Sequence, residues 1–247
     1  LQFLSSVDAA IAVSKATADA HRLFLGDTQC TVVYNGVSLD SDSAARPDAR
    51  TRMLEASGAT GDTLLVASVG HVCERKNQLA AVRAIAAMQA DCHLLVFGSL
   101  TREPDYVSRV RSEISKLGLE SRITLLGMVE RSADLMTGAD LFVHTATADP
   151  HPLAVIEAMA ARLPVVAYAS DGVGETVRTE ETGLLVTPGD EDGLARAMEA
   201  LLCDSGRRSV MGLAGRQRVE DTFSAAATAS GVARVIERVM SERVGDA

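Results

Sequence analysis

The sequence predicts an α/β protein built on a Rossmann-like, doubly wound parallel sheet. From residue 64 onward, short apolar runs alternate with segments of helical spacing, a pattern typical of parallel strands joined by helical crossovers. The chain has 247 residues, of which 47% are hydrophobic, and this fills the core of one large domain or two small ones. We therefore expect a sheet that is covered by helices on both faces.

Six apolar runs are interpreted as the strands of this sheet, at residues 64–69, 93–97, 123–126, 141–145, 165–169 and 184–186. Helices are expected between and after them, at residues 78–88, 106–117, 132–137, 153–161 and 194–202. Ligands of doubly wound folds bind beyond the carboxyl ends of the strands. The loops that follow the strands are therefore the expected location of a functional site.

The beginning of the chain has a separate pattern. Residues 9–13 predict a strand, Ser14 caps a helix that ends near residue 24, and residues 31–34 predict a second strand. A polar segment that contains Pro47 comes next. We interpret that segment as a linker.

The end of the chain predicts two helices within residues 207–244, separated near Ser224. Serine at this position is suited to cap the second helix. Because that helix has an apolar face, it needs a surface to pack against. The residues of this face are Val232, Val235, Ile236 and Val239.

Charge and composition exclude some classes of partner. The formal net charge is −9, which disfavours a nucleic acid or an anionic membrane as the main partner. No apolar run has the length of a transmembrane segment. The chain begins at Leu1, and we expect a soluble fragment from which an upstream part has been removed. The four cysteines have no paired short spacing, so we expect a reducing, cytoplasmic location without a zinc site.

Two acids border a predicted strand-to-helix turn. Asp149 lies in the loop, and Glu157 lies one turn into the following helix. Both carboxylates can therefore face a ligand at the helix N-terminus, where the amides of Leu153 and Ala154 favour a phosphate without any metal. Alternatively, Asp149 is merely an acid in a loop, and Glu157 is a first-turn acid that is favoured by the helix dipole.

A second loop between a strand and a helix carries basic residues. Gly70 allows close approach to the backbone, and Lys76, one of three lysines in the chain, can neutralise a diphosphate. His71 can donate a hydrogen bond to a phosphate oxygen, and Arg75 is a less favoured substitute for Lys76. Alternatively, Lys76 is a solvated surface charge and His71 an ordinary loop residue.

Seven segments in this order resemble the carboxyl-terminal half of glycosyltransferase family 4. They lie at residues 9–14, 32–37, 70–76, 127–129, 149–167, 172–175 and 183–190, so the resemblance covers nearly the whole chain. The strongest match is the pair of acids with seven residues between them, followed by Ala158-Met159-Ala160 and Pro164-Val165-Val166-Ala167. Each segment alone is weak evidence for the family, but the order and spacing of all seven together are highly specific for it. The family has the GT-B fold, in which two Rossmann-like domains face each other across a cleft.

The resemblance implies that this chain supplies donor binding to a retaining glycosyltransferase of the hexosyltransferase type. The donor is a nucleotide-diphosphate sugar, and no metal or other cofactor is expected. Lys76 then binds the diphosphate, with His71 where the family usually has Arg. Glu157 accepts hydrogen bonds from the ribose hydroxyls, and Val129 contacts the base through its main chain. Asp149, in place of the usual Glu, contacts hydroxyls of the transferred sugar.

Two departures from the family pattern bear on this interpretation. His71 offers a weaker, pH-dependent charge and no bidentate fork. Asp149 is one methylene shorter than Glu, so either the loop moves inward or the sugar differs. The catalytic set that the resemblance implies is Lys76, Asp149 and His71. The donor-binding set adds Gly70, Val129, His151, Leu153, Ala154 and Glu157.

The resemblance also divides the chain into three parts. Residues 1–45 are the end of an amino-terminal domain with its linker, and residues 46–220 are the nucleotide-sugar-binding domain. Residues 221–247 form a C-terminal helix that crosses back toward an amino-terminal domain missing from this chain. Family members bind the acceptor mainly with that domain. The acceptor is therefore unknown, and we expect the fragment alone to be inactive.

Two acidic triplets superficially match the signature by which other sugar transferases hold a divalent metal. They are Asp190-Glu191-Asp192 and Asp40-Ser41-Asp42. We interpret the first as the acidic start of a helix and the second as linker. His144 lies at the end of a strand. A role as a core or supporting residue explains it at least as well as a role in binding a ligand. A nucleophile elbow, a Walker loop and a glycine-rich dinucleotide fingerprint are absent from the sequence, which argues against hydrolases, NTPases and dehydrogenases.

Two other functions remain open. In a non-catalytic sugar-nucleotide-binding domain, the departures at His71 and Asp149 mark lost activity, and donor hydrolysis by the full-length protein would distinguish it. A nucleotide-sugar epimerase of the same architecture would convert its donor with no acceptor added.

For the transferase, the resemblance implies that the departing phosphate helps remove the acceptor proton. Lys76, with His71 and the helix at Leu153, is then expected to stabilise the charge on the leaving diphosphate.

Overall fold

The computed structural model describes residues 7–25, 28–39 and 46–245. The strands are β1 (Ala10–Ala12), β2 (Cys30–Val32), β3 (Leu64–Val69), β4 (Cys92–Phe97), β5 (Ile123–Gly127), β6 (Leu141–His144), β7 (Val165–Tyr168) and β8 (Gly183–Val186). The helices are α1 (Lys15–Leu25), α2 (Arg46–Ser57), α3 (Gln78–Ala87), α4 (Pro104–Lys116), α5 (Ser132–Met136), α6 (Leu153–Ala160), α7 (Val173–Thr176), α8 (Glu191–Leu202), α9 (Ser205–Thr222) and α10 (Ala225–Gly245). The predicted α/β fold class is confirmed.

The central sheet has six parallel strands in the order β5-β4-β3-β6-β7-β8. The chain runs outward from β3 through β4 to β5, then returns to the other side of β3 at β6 and continues to β8. The strand order therefore reverses between β3 and β6. In doubly wound folds, this reversal opens a crevice beyond the carboxyl ends of the two strands.

Two hydrophobic layers cover the sheet. Helices α3, α4 and α8 pack on one face, and α2, α5 and α6 pack on the other together with the end of α9. Side chains of β4 alternate between the layers: Leu94 and Val96 enter the first, whereas Leu95 and Phe97 enter the second. Because both faces are buried, the strands are apolar at nearly every position, which is why they appear in the sequence as continuous runs.

The predicted strands and helices of the sheet layers agree with the structure to within a few residues at their ends, but α2 and α7 are not predicted. The polar segment that contains Pro47 is interpreted above as a linker, but helix α2 begins within it, at residue 46. Among residues 47–57 of this helix, only Ala49 and Met53 are buried, so its apolar pattern is too sparse to recognise. Arg50 fixes the helix instead, by donating hydrogen bonds to Asp140 and to the Gly138 and Thr63 carbonyls.

The predicted helix caps form hydrogen bonds. The Ser14 hydroxyl accepts from the Thr17 N–H at 3.1 Å, and the Ser224 hydroxyl accepts from the Ala227 N–H at 3.2 Å. Asp190 caps α8 by accepting from the Gly193 N–H at 2.8 Å. The triplet at residues 40–42 lies outside the described residues.

Helix α10 returns to the beginning of the chain. Strands β1 and β2 form a small parallel sheet, and α10 contacts it through Arg238, which donates to Thr31, and through Arg243, which pairs with Asp8. The connections 34–39 and 222–228 also pair, because Val37 donates to the Phe223 carbonyl and accepts from the N–H of residue 225. The division of the chain into three parts stays a prediction.

Within the described ranges, none of the helices has both the length and the apolar character that a bilayer crossing requires. The four cysteines are free thiols. The cytoplasmic location that the sequence predicts is not tested by these features and stays a prediction.

A substitution at Gly98, which directly follows β4, tests how closely the ends of the strands pack. Gly98 has a φ of 145°, and a Cβ at this position would collide with the carbonyl oxygen of Gly70. We expect Gly98→Ala to lower the free energy of unfolding by about 2 kcal/mol or more, measured by chemical denaturation. Gly174→Ala is the matched control, because no heavy atom lies within 4 Å of its added Cβ. Equal stability of the two variants would contradict this packing.

Candidate functional site

A cleft at the reversal of strand order brings the predicted site residues together. It has a volume of about 450 Å³, and the loops after β3, β5 and β6 contribute to it. Its lining includes all nine residues that the sequence indicates: Gly70, His71, Lys76, Val129, Asp149, His151, Leu153, Ala154 and Glu157. The geometry establishes that they share one surface, and their individual roles stay predictions.

The loop after β3 brings Lys76 to the cleft. Gly70 has a φ of 148°, and a Cβ there would lie 3.3 Å from Cε of Lys76, so the absent side chain leaves room for the lysine. A 3₁₀ turn at Glu74–Lys76 and the left-handed Asn77 lead into α3. The Thr145 hydroxyl donates to the Lys76 carbonyl at 3.0 Å, which fixes this loop to the end of β6.

Lys76 and Asp149 pair directly with each other. Nζ of Lys76 donates to Oδ2 of Asp149 at 2.5 Å, and the two side chains are only 15% and 10% exposed. A pair with this degree of burial is screened less by water than a surface pair. Arg75 lies 3.8 Å from the same oxygen, but its side chain is 52% exposed. The sequence predicts a ligand contact for each member of the pair and gives no sign that they contact each other.

Asp149 is held in its ionised form. Burial by itself raises the pKa of Asp149, but contacts with His144 and Lys76 outweigh it and lower the pKa to about 2. His144 is buried at the end of β6, with Nε2 3.3 Å from Oδ2 of Asp149. Because this contact lacks the alignment of a hydrogen bond, Lys76 is the better-placed partner. Burial lowers the pKa of His144, so its ring is neutral at neutral pH.

The N-terminus of α6 contributes backbone donors to the cleft. Leu153 and Ala154 are its first residues, and their N–H groups have no backbone or side-chain acceptor among the described residues. Pro150 and Pro152 have no N–H. Within residues 150–154, the amide donors are therefore His151, Leu153 and Ala154. Such free N–H groups at a helix N-terminus are suited to bind an anion.

Glu157 is the second acid of the cleft, and its surroundings differ from those of Asp149. Burial raises the pKa of Glu157, and no ion pair to it occurs within the described part of the chain. A half-buried carboxylate without a cation is stabilised by hydrogen-bond donors. Hydroxyl groups of a ligand are donors of this kind.

His71 borders the cleft as an uncharged ring. Burial lowers the pKa of His71, and three neighbouring cations lower it further: Arg102, Lys76 and Arg75. Its Nδ1 atom is buried and has no hydrogen-bond partner within the described residues. At neutral pH, His71 therefore offers a neutral hydrogen-bonding group where the sequence predicts a weak, pH-dependent charge.

His151 belongs to an aromatic cluster at one end of the cleft. Its ring stacks on Tyr34 with 5.1 Å between centroids, and Phe223 meets it edge-on at 5.2 Å. Burial lowers the pKa of His151 to about 4. Its carbonyl accepts a hydrogen bond from Asn35. The cluster joins the cleft to the two connections at residues 34–39 and 222–228.

The cleft also contains residues that the sequence analysis did not single out: Asn35, Phe97, Gly98, Met128 and Ser132. Two features of the sequence concern Asn35, the Asn35-Gly36 pair and the family-like segment at residues 32–37, and they indicate a turn and a domain entry, not a site. Arg131 is exposed and pairs with Asp134. Among the residues that the structure describes, no group of three or more His, Cys, Asp or Glu is arranged to hold a metal ion.

Comparison with known proteins identifies the family. A family model described as glycosyl transferases group 1 matches residues 49–218. The chain belongs to this family. The match begins within α2 and ends in α9, so it includes the whole central sheet and every described lining residue of the cleft except Asn35.

Two relatives of this chain are named as glycosyltransferases of bacteria. A GDP-mannose-dependent monoacylated alpha-(1-6)-phosphatidylinositol monomannoside mannosyltransferase of Corynebacterium glutamicum is 31% identical over 77% of this chain and 51% of its own length. A D-inositol 3-phosphate glycosyltransferase of Xylanimonas cellulosilytica is 30% identical over 87% of this chain and 53% of its own length. The chain thus spans about half the length of these relatives.

A solved structure of similar fold contains nucleotide ligands. HepE of Anabaena, solved in complex with UDP and with UDP-glucose, has a TM-score of 0.85 and 25% identity to this chain. The similarity covers 94% of this chain and 64% of HepE. It therefore extends beyond the central sheet to most of the described elements.

The low pKa of Asp149 predicts a pH dependence of stability. Its folded value of about 2 lies below the unfolded value of about 3.9, so the stabilisation is present above about pH 4 and is lost as the pH falls through 2. We expect the wild-type chain to exceed Asp149→Asn by about 2 kcal/mol in free energy of unfolding at neutral pH and to match it near pH 2. Denaturant unfolding at several pH values measures the difference. A difference that does not change with pH would contradict the Lys76–Asp149 pair.

Proposed function

We propose that this chain binds the donor of a retaining, metal-independent glycosyl transfer from a nucleotide-diphosphate sugar. One observation carries the proposal: a single cleft combines an ammonium group, free amides of a helix N-terminus and two carboxylates in different surroundings. A nucleotide-diphosphate sugar needs all three, because it joins a doubly charged diphosphate to two sets of hydroxyl groups.

The diphosphate is bound by Lys76 and by the N-terminus of α6. The ammonium supplies charge, and the N–H groups of Leu153 and Ala154 supply directed donors without a metal. His71 adds a hydrogen bond to a phosphate oxygen. These groups act where negative charge grows as the leaving diphosphate departs, so they favour the transition state over the bound substrate.

The two carboxylates bind hydroxyl groups on either side of the diphosphate. Glu157, which has no cation beside it, accepts from the ribose, and Asp149 accepts from the transferred sugar. Val129 contacts the base through its main chain. No protein nucleophile takes part, because the departing phosphate itself helps remove the acceptor proton. Relatives named for GDP-mannose and a similar structure that contains UDP-glucose support a nucleotide-sugar donor.

Acceptor binding is expected in the part of the protein that corresponds to the unmatched half of the relatives. Since the chain spans about half of those relatives, we assign acceptor binding to a further domain, which completes the cleft. Calorimetry of this chain with UDP, GDP, ADP and their sugars tests donor binding, and failure of every compound to bind would contradict the proposal. In the full-length protein, conversion of the donor without acceptor would identify an epimerase, and a total lack of transfer and hydrolysis would identify a binding domain.

Lys76→Ala is expected to weaken binding of the nucleoside diphosphate at least tenfold, because a charge-assisted hydrogen bond is lost and Asp149 is left as an unpaired negative charge. Turnover of the full-length protein should fall by an order of magnitude or more. Titration calorimetry and steady-state kinetics measure the two effects. Lys116→Ala, at an exposed lysine of α4, is the matched control. Unchanged binding in Lys76→Ala would remove this residue from the diphosphate site.

Glu157→Gln tests the ribose contact. We expect the wild-type chain to bind a ribonucleoside diphosphate more tightly than its 2′-deoxy analogue. In the variant, the ratio of the two affinities should fall about tenfold, which is typical for loss of a hydrogen bond to a charged group. Competition binding with the two nucleotides measures it. Glu55→Gln, at an exposed position of α2, should retain the preference. A variant that discriminates as well as the wild type would assign Glu157 to another role.

A further inference from the structure

The carboxylate of Asp149 is held through one of its two oxygens. Lys76 donates to Oδ2, and His144 Nε2 and an Arg75 nitrogen lie 3.3 Å and 3.8 Å from that same atom. Within the described residues, no hydrogen bond reaches Oδ1. Because Asp149 lines the cleft, Oδ1 is the oxygen left for a ligand.

His144 supports Oδ2 from the interior of the protein. It is the last residue of β6 and only 3% exposed, so its position is fixed by the sheet. Its Nε2 atom is buried and has no aligned hydrogen-bond partner within the described residues. Nε2 lies against a carboxylate oxygen, so it must carry the ring proton, since otherwise two acceptors would face each other. Because the two atoms are 3.3 Å apart, we expect a rotation of the Asp149 side chain to complete the hydrogen bond.

Donor binding makes this contact more important. In the proposed function, Lys76 turns at least part of its ammonium toward the diphosphate, so it neutralises Asp149 less. Arg75 is exposed and distant by comparison. A carboxylate that is only 10% exposed is costly to leave without a donor. His144 is the buried group within reach that can replace the hydrogen bond that Lys76 gives up.

We propose that His144 is a positioning residue that sets sugar specificity: its Nε2–H holds Oδ2 of Asp149, and Oδ1 is thereby aimed at particular hydroxyl groups of the donor sugar. The inference rests on the proposed function. The short side chain of Asp149 has only two rotatable bonds, so fixing one oxygen leaves the other few orientations. Without His144, Oδ1 samples more positions and distinguishes sugars less well.

Paired binding measurements separate this role from a general structural one. For each of UDP, GDP and ADP, calorimetry compares the nucleotide with its sugar, using UDP-glucose, GDP-mannose and ADP-glucose. In His144→Leu, we expect a decrease in affinity for the nucleotide alone, because Lys76 is then held more strongly by Asp149, and a further, about tenfold decrease in the gain in affinity due to the sugar. His144→Gln, which keeps an N–H donor near the position of Nε2, should restore most of the gain.

His93→Leu is the matched control. His93 is also a buried strand histidine, 2% exposed, and it contacts Thr124 within the sheet and does not line the cleft. This variant should lose stability without losing the sugar-dependent gain. A His144→Leu protein that keeps the wild-type gain would overturn the inference while leaving the proposed function intact. A wild-type chain that binds none of the six compounds would instead overturn the proposed function, and the inference with it.

A measurement on the wild-type chain keeps the inference testable if His144→Leu does not fold. Nitrogen-15 NMR of the histidine rings identifies the tautomer of His144. We expect the proton on Nε2, facing Asp149. A proton on Nδ1, with Nε2 bare, would overturn the inference, because His144 could then not donate to the carboxylate.

Discussion

The reversal of strand order between β3 and β6 is the constraint on which the site depends. These two strands are neighbours in the sheet, yet the loops that follow them lead to helices on opposite faces. The loops must separate at this point, and the crevice between them is where their side chains can meet a ligand. One loop carries Lys76 and the other carries Asp149, so the fold brings a cation and an anion together from positions 73 residues apart.

Partial burial gives this contact its chemical character. A lysine and an aspartate on an open surface would interact weakly, but here both side chains are mostly enclosed. The aspartate stays ionised, and the ammonium group of Lys76 lines the cleft beside it. In the proposed function, charges that are already in place at the cleft reduce the reorganisation needed as charge moves in a transfer reaction. The same burial makes each charge dependent on its partner.

Two histidines, His71 and His151, line this cleft, a third, His144, lies behind Asp149, and burial lowers the pKa of each of them. His71, His144 and His151 all have ring nitrogens without partners among the described residues. They supply hydrogen-bonding capacity without net charge at neutral pH. This leaves Lys76 as the main cation at the centre of the cleft, with Arg75 more exposed at its side. Such a division suits a ligand that joins one strongly charged group to several neutral hydroxyls.

The sequence by itself determined the fold class, the strands of the sheet and seven of the residues at the cleft, because buried parallel strands are apolar throughout and their following loops share one edge. The family resemblance added Val129 and His151. The sequence did not reveal α2, whose packing depends on Arg50 contacting groups far along the chain. Nor did it reveal that Lys76 and Asp149 contact each other, that His144 lies behind them, or that Asn35 reaches the cleft. Only the tertiary structure decided these points, because periodicity and local propensity record which way a side chain faces within its own element, whereas contacts between loops depend on how separate elements are packed together.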